Sequence, residues 1–307
     1  MLIVLRALAA RVISALLVLL GVTLLTFSLT LLLPGDPAVT VAGPKASPEV
    51  LQRIRRDLGL DQPFIVQYGR YLSRLMRGDL GRSYVNQEPV LSAVLERLPA
   101  TSFLAIAAWS IGAALGIALG CIPILFPRTA QWAFGVTVLG LSVPAFWAGL
   151  LLLYVFAFRW PLFPLGGFGL RGVVLPACAL GLGLAANYAR VTMARLADVM
   201  KQPFIQAARA KGVPRQRIVL RHAMGHVLLT LLTLVGLDLA ALLGGVTLTE
   251  TVFNWPGLGR LAVEAVFNQD IPVLMGTVLL ATTFVVCVNF LVDACYAWLD
   301  PRVRREG

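Results

Sequence analysis

Few residues in this chain of 307 have the chemistry for catalysis or metal binding, and their spacing limits what they can do. The two histidines, His222 and His226, stand four apart and would share a helix face. Two imidazoles with no carboxylate or thiolate close by in sequence make a poor site, so no metal is assigned and the pair reads as packing or hydrogen-bonding residues. Cys121, Cys178, Cys287 and Cys295 lie in or at the ends of apolar runs, without C-x-x-C spacing. They read as small residues at helix contacts, not as a disulfide framework or zinc site. The lysines Lys45, Lys201 and Lys211 are followed by Ala, Gln and Gly, and no G-x-x-x-x-G-K-[ST] occurs. A phosphate loop needs that lysine and hydroxyl, so any nucleotide would be hydrolysed on another chain. With G-x-S-x-G and H-E-x-x-H also missing, no catalytic residue is named and no enzyme is expected.

One acid stands apart from this list. Asp238 falls in the middle of an apolar run, where a charge is expensive and normally faces a cavity or a partner. It is therefore a candidate for the path of a cationic group, with two alternatives. It is otherwise a protonated acid bonded to a neighbouring helix, or an ion pair with a second subunit. Pro144 and Trp147 are further pathway candidates: Pro144 and Pro176 are expected to kink their helices and free carbonyls, while Trp147 and Trp160 suit interfacial anchoring.

The elements that position these residues are membrane spans. The chain is 58% hydrophobic and 13% charged, far from the balance of a soluble domain. Six apolar stretches are long enough or nearly so, at about 12–33, 101–126, 132–158, 173–188, 227–248 and 271–292. The first is too long for a signal-peptide core and has no small-residue cleavage site, so it is read as an uncleaved helix. Fourteen basic residues fall on one side, including Arg6, Arg11, Arg128, Arg302 and eight in the loop after the fourth span. That side is cytoplasmic, and so are both termini. The net charge of +11 is explained by this bias and not by nucleic acid, for which no binding motif is present.

Two segments outside the spans are organised. Residues 34–100 form an external segment with two helices expected, one at 47–58 capped by Ser47 with Pro48 in its first turn, and one at 63–75. On the cytoplasmic side, PFIQAARAKGVPRQRIVLRHAMGH at 203–226 reads as a short amphipathic helix. Phe204, Ala207 and Ala208 share one face, Gly212 ends the helix, and Pro214 prevents its continuation. From the residues alone, this helix either docks a cytosolic partner or lies on anionic lipid.

The same loop resembles the EAA loop of permeases of ATP-binding-cassette importers, with Gln206 in place of the usual glutamate and Ala207, Ala208, Gly212, Ile218 and His222 at matching places. LLPGDPA at 32–38, LGLDQP at 58–63, GDLGRSY at 78–84, LPAT at 98–101, SVPAFW at 142–147, ETVFNWPGLGRL at 250–261, NQDIPV at 268–273 and DPRVR at 300–304 resemble the dipeptide/oligopeptide/nickel branch, in order along nearly the whole chain. The resemblance implies an all-α, polytopic, six-helix type I importer permease in a bacterial inner membrane. Its first helix would occupy 1–33, a helical insertion 34–100 and a five-helix core 101–307, with the coupling loop at about 194–226. It also implies a second, related permease, two ATPase subunits that bind ATP and magnesium, and an external solute-binding protein. This chain itself would bind no cofactor. Gln206, Ala207, Ala208, Arg209, Lys211, Gly212, Ile218 and His222 would form the ATPase contact. Glu250, Asn254, Trp255 and Arg260 would belong to an outer gate or binding-protein dock, although a plain turn fits them as well.

Short peptides are the expected cargo, with nickel or a metal chelate as the alternative. A proton-coupled secondary transporter with Asp238 as carrier is the competing class, but neither inverted repeats nor paired broken helices are evident.

Overall fold

A computed structural model describes the backbone of residues 2–32, 36–43 and 45–299; the side chains of 2–10, 229, 233, 244–245 and 292–299 fall outside the description. Arg6, Cys295, the DPRVR segment and residues 33–35 of LLPGDPA therefore lie outside the described side chains. Regular structure among the described residues is helical, apart from an isolated bridge between Arg82 and Pro89. The chain forms two compact units, Met1–Thr101 with Pro256–Gly307, and Ser102–Trp255.

In the first unit, α1 (Leu2–Thr30) packs against α14 (Ile271–Leu299). Both are long and apolar enough to cross a bilayer. Between α1 and the next span lie three short helices, each with a legible start. For α2 (Pro37–Ala42), Asp36 accepts the Ala38 N–H at 3.0 Å. For α3 (Pro48–Leu58), Ser47 accepts the Val50 N–H at 3.4 Å, and Gly59 at φ +69° closes the helix. The third, α4 (Phe64–Leu75), lies on the end of α1. Phe27 meets Phe64 and Tyr68 with ring centroids 5.4 and 5.5 Å apart, and the Tyr68 hydroxyl is 3.0 Å from Thr23 Oγ1. The helical spacing of Ile65, Tyr68, Leu72 and Leu75 pointed to this helix. Its packed face is largely aromatic, and Ile65 remains exposed.

The second long span, α5 (Val90–Leu125), starts eleven residues before the expected Thr101. At 36 residues it is about 54 Å long, more than a hydrocarbon core requires. Apolarity locates the part in lipid, whereas the helix continues until its hydrogen-bonding pattern is interrupted. The same reason extends the fourth span: α8 (Val174–Val199) carries Arg190 and Arg195 past the apolar stretch because nothing between them breaks a helix.

The third expected span is not continuous. It consists of α6 (Ala130–Ser142) and α7 (Ala145–Leu153), the latter running into a π-helical turn at 154–159, with a 95° bend between the two halves. A kink was expected at Pro144, but a full break occurs. Proline pushes the residue before it out of the helical region, so Val143 (ψ 119°) and Pro144 (ψ 134°) are both extended. Pro176 makes no kink. It is the third residue of α8, where its missing N–H has no intrahelical partner to lose. Among the described residues, four unbroken helices and two bent pairs give up to six spans, in the expected order.

The seam between α5 and α8 lies within the second unit and is built on close approach. A Cβ at Gly112 would sit 2.5 Å from Leu184 Cβ, at Gly116 2.5 Å from the Ala185 carbonyl, and at Gly120 2.5 Å from Thr192 Cβ. Small residues every fourth position let two backbones pack where lipid supplies no hydrophobic drive. This spacing was visible in the sequence, though counting spans gives no reason to single it out.

Candidate functional site

The segment that leaves α8 turns through two short helices into the next span, all inside the second unit. Gln202 is extended, Pro203 occupies the first turn, and α9 (Pro203–Ala210) follows. Its end is set by backbone conformation. The Lys211 N–H reaches the Ala207 carbonyl at 3.1 Å, the Val213 N–H reaches the Ala208 carbonyl at 3.2 Å, and Gly212 between them sits at φ +75°. No atom lies within 4 Å of the position a Cβ would take at Gly212, so this glycine answers a backbone need and not a spatial one. Pro214 then starts α10 (Arg215–Arg217), which passes through a π-helical turn at 218–223 into α11 (Met224–Gly245).

Two faces of this segment are clearly separated. Ile205, Ile218, Val219, Ala223 and Val227 are fully buried and pack with Tyr188, Leu196 and Leu231, with Ala208 and Val213 against them. Phe204, Gln206, Ala207, Arg209, Lys211, Gly212 and His222 are exposed. The expected grouping of Phe204, Ala207 and Ala208 on one face needs correction: Ala208 turns inward beside Ile205. Ile218 likewise belongs to the buried anchor. The sequence offered no way to rank Ile205 above Phe204, because both are apolar neighbours on a short helix. Phe204 instead stacks near His226, with ring centroids 5.3 Å apart, and Gln206 Nε2 donates to the Lys201 carbonyl at 3.3 Å.

Asp238 lies on α11 and engages the same unit. Trp109 Nε1 on α5 donates to the Tyr188 hydroxyl on α8 at 3.1 Å, and Tyr188 in turn is hydrogen-bonded to the Asp238 carboxyl. Asp238 Oδ2 is buried without a partner among the described residues. Three helices are thus tied by one polar chain whose members the sequence did not connect, since 109, 188 and 238 are far apart along it. Pro144 stands at the start of α7, and Trp147 on that helix is half exposed.

The 250–260 stretch splits between the two units. Within the second unit, Glu250 on α12 (Thr247–Val252) and Trp255 are both 0% exposed. Trp255 lies 6.3 Å from Phe103 and 5.4 Å from Phe168 between ring centroids, and its N–H reaches the Glu250 carbonyl. A surface dock requires accessible side chains, so the burial of Glu250 and Trp255 speaks against the dock for these two, while it leaves the outer-gate expectation where it stood. Asn254, in the left-handed region at φ 49°, is the exposed member. Arg260, in the first unit on α13 (Leu258–Phe267), is partly exposed and pairs with Glu264 at 2.7 Å.

The first unit holds a clamp of its own. Asp270, 4% exposed, accepts the Ser83 hydroxyl and the Tyr84 N–H, the latter at 3.0 Å, and so joins the 78–90 loop to the start of α14. Burial pushes Tyr84 above the usual tyrosine range. Near this loop lies a cleft of about 880 Å³ between α2, α3, α4 and α14. Among the described residues, no cluster of three metal-ligating side chains occurs.

Comparison with known proteins agrees with the order of spans and motifs. Residues 112–305 match the binding-protein-dependent transport system inner membrane component family, and residues 4–105 match the N-terminal family of the same kind of membrane component. A protein of Brucella abortus (strain 2308) named as a peptide transport system permease is 42% identical over 308 residues, covering 96% of this chain and 98% of its own length. The glutathione transport system permease protein of Escherichia coli (strain K12) is 37% identical over 288 residues, covering 92% and 94%. An inward-facing structure of the MetNI methionine ABC transporter shares the fold, with TM-score 0.57 and 16% identity over 67% of this chain and 95% of that one. The chain belongs to the binding-protein-dependent transport system inner membrane component family, as a permease subunit of an ABC importer.

Proposed function

We propose that this permease carries short peptides inward, forms half of the translocation path beside a second homologous permease, and takes its energy from two separate ATPase subunits that bind ATP and magnesium. Both termini face the cytoplasm, and an external solute-binding protein delivers the cargo. The relatives named for peptide and glutathione transport support the cargo class.

The observation that carries the coupling is the two-faced α9. Its exposed side, with Gln206, Ala207, Arg209 and Lys211, is the ATPase contact, and Ile205 roots the helix in the core beneath α8. A push on α9 therefore reaches the membrane helices through packed side chains and not through ligand chemistry. The test is uptake of a labelled tripeptide by the reconstituted assembly. ATP-dependent uptake that requires the co-purified subunits is expected; uptake by this chain alone on a proton gradient would overturn the proposal.

Asp238 is read as a tie between α11 and α8 through Tyr188. Asp238→Asn, which keeps hydrogen-bonding capacity, should retain uptake and substrate preference, while Asp238→Ala should lower the assembly's thermal stability. An Asn variant that assembles normally but loses uptake would return Asp238 to the role of cargo contact.

A further inference from the structure

The 880 Å³ cleft in the first unit has features that the packing of the helices does not require. Arg70 and Arg74 stand at i, i+4 on α4, so two like charges share one face, an arrangement that destabilises a helix unless an anion lies between them. Neither forms an ion pair among the described residues, whereas Arg55 across the cleft is neutralised by Asp36. The Arg70 guanidinium lies over Gly59, where a methyl group would collide with it; the left-handed turn that ends α3 thereby makes room for that head group. Between the two arginines in sequence, Tyr71 lines the cleft and is 9% exposed, and its hydroxyl, shielded from solvent, has no partner among the described residues. Tyr71 closes the cleft wall, while the exposed guanidiniums of Arg70 and Arg74, without ion-pair partners among the described residues, are the groups that a ligand can reach. Asp57 contributes an exposed carboxylate to the same cleft.

We infer that this cleft is a binding site for a short zwitterionic peptide, whose C-terminal carboxylate is held by Arg70 and Arg74 and whose ammonium faces Asp57. The inference rests on the peptide-import reading and adds a station on this chain, on the side read as external. The volume falls within the range of small-ligand sites and is too small for a protein domain. Guanidinium pairs suit a planar carboxylate, and the presence of both signs of charge selects a ligand that carries both.

The test uses the full permease assembly, without binding protein, in phosphatidylcholine nanodiscs, titrated calorimetrically with trialanine and with trialanine amide. Saturable trialanine binding is expected, at least tenfold weaker for the amide and for Arg70→Gln/Arg74→Gln. Arg70→Lys/Arg74→Lys should recover much of the loss, which separates charge recognition from misfolding. Equal binding of the amide, no saturable binding, or displacement of trialanine by phosphatidylglycerol doped into the disc would overturn the site. ATP-driven uptake measured in parallel separates the two claims. Uptake that persists while the Gln double variant binds trialanine unchanged removes the cleft alone. Trialanine binding without any uptake leaves the cleft and removes the import reading.

Discussion

The 203–216 and 250–260 segments are both short, motif-bearing connections beside the fifth span, yet the fold treats them oppositely. The first keeps one apolar anchor, Ile205 with Ala208 against it, and exposes the other residues of α9. The second buries its most distinctive residues, Glu250 and Trp255, and exposes Asn254 between them. A recognisable motif is therefore not a sign of an accessible surface. In one segment the motif lies on an exposed face, and in the other it marks how the chain is held together.

The largest test of this contrast is Trp255→Ala. Removing a fully buried indole that packs on Phe103 and Phe168 should cost about 3–5 kcal/mol, read as a loss of assembled protein and a lower unfolding temperature in detergent. A variant of normal stability would break the assignment of this segment to the core. Next comes Gly212→Val, which forces a β-branched residue into the left-handed region at a cost of about 1–2 kcal/mol, confined to the turn. Transport and stimulated ATP hydrolysis should collapse while the protein remains in the membrane; normal transport would show that the geometry of α9 does not carry the coupling. Arg209→Glu with Lys211→Glu should leave the unfolding temperature within the small range of surface changes, about 0.5 kcal/mol, yet weaken ATPase association in a salt-dependent way. If the double variant unfolds early instead, that face is structural.

The smallest effect is expected far from both segments. The Arg55 hydrogen bond holds the Asp36 carboxyl below its usual range. A carboxyl depressed in the folded state contributes above the unfolded carboxylate range and loses that contribution as pH falls through its folded value. The pair should thus fade below about pH 4. Because both side chains are partly exposed, Asp36→Asn should cost under about 1 kcal/mol at neutral pH, and the variant should show a flatter acid limb in thermal unfolding.

Much of the architecture was readable from local rules. Ser47, Pro48 and Gly59 bound α3 because capping depends on a few adjacent residues, and Gly212 and Pro214 bound α9 for the same reason. Span order followed from apolar length. Helix ends were less legible: α5 and α8 outrun their apolar stretches, since lipid selects composition while hydrogen bonding sets length. The right-angle break at Pro144 was foreseen only as a kink, because proline chemistry places an interruption but its angle depends on what the two halves pack against.

By itself, the sequence determined that this is a membrane-spanning, helical permease, and where its connecting segments begin and end. These properties depend on composition and near neighbours, and they survive without knowledge of the packing. Only the tertiary structure decided which face of α9 is exposed, that Trp255 and Glu250 are interior, that Asp238 reaches Tyr188, and that Arg70, Arg74 and Tyr71 line one cleft. Exposure and partnership are relations between residues distant in the chain, so no local spacing rule can state them.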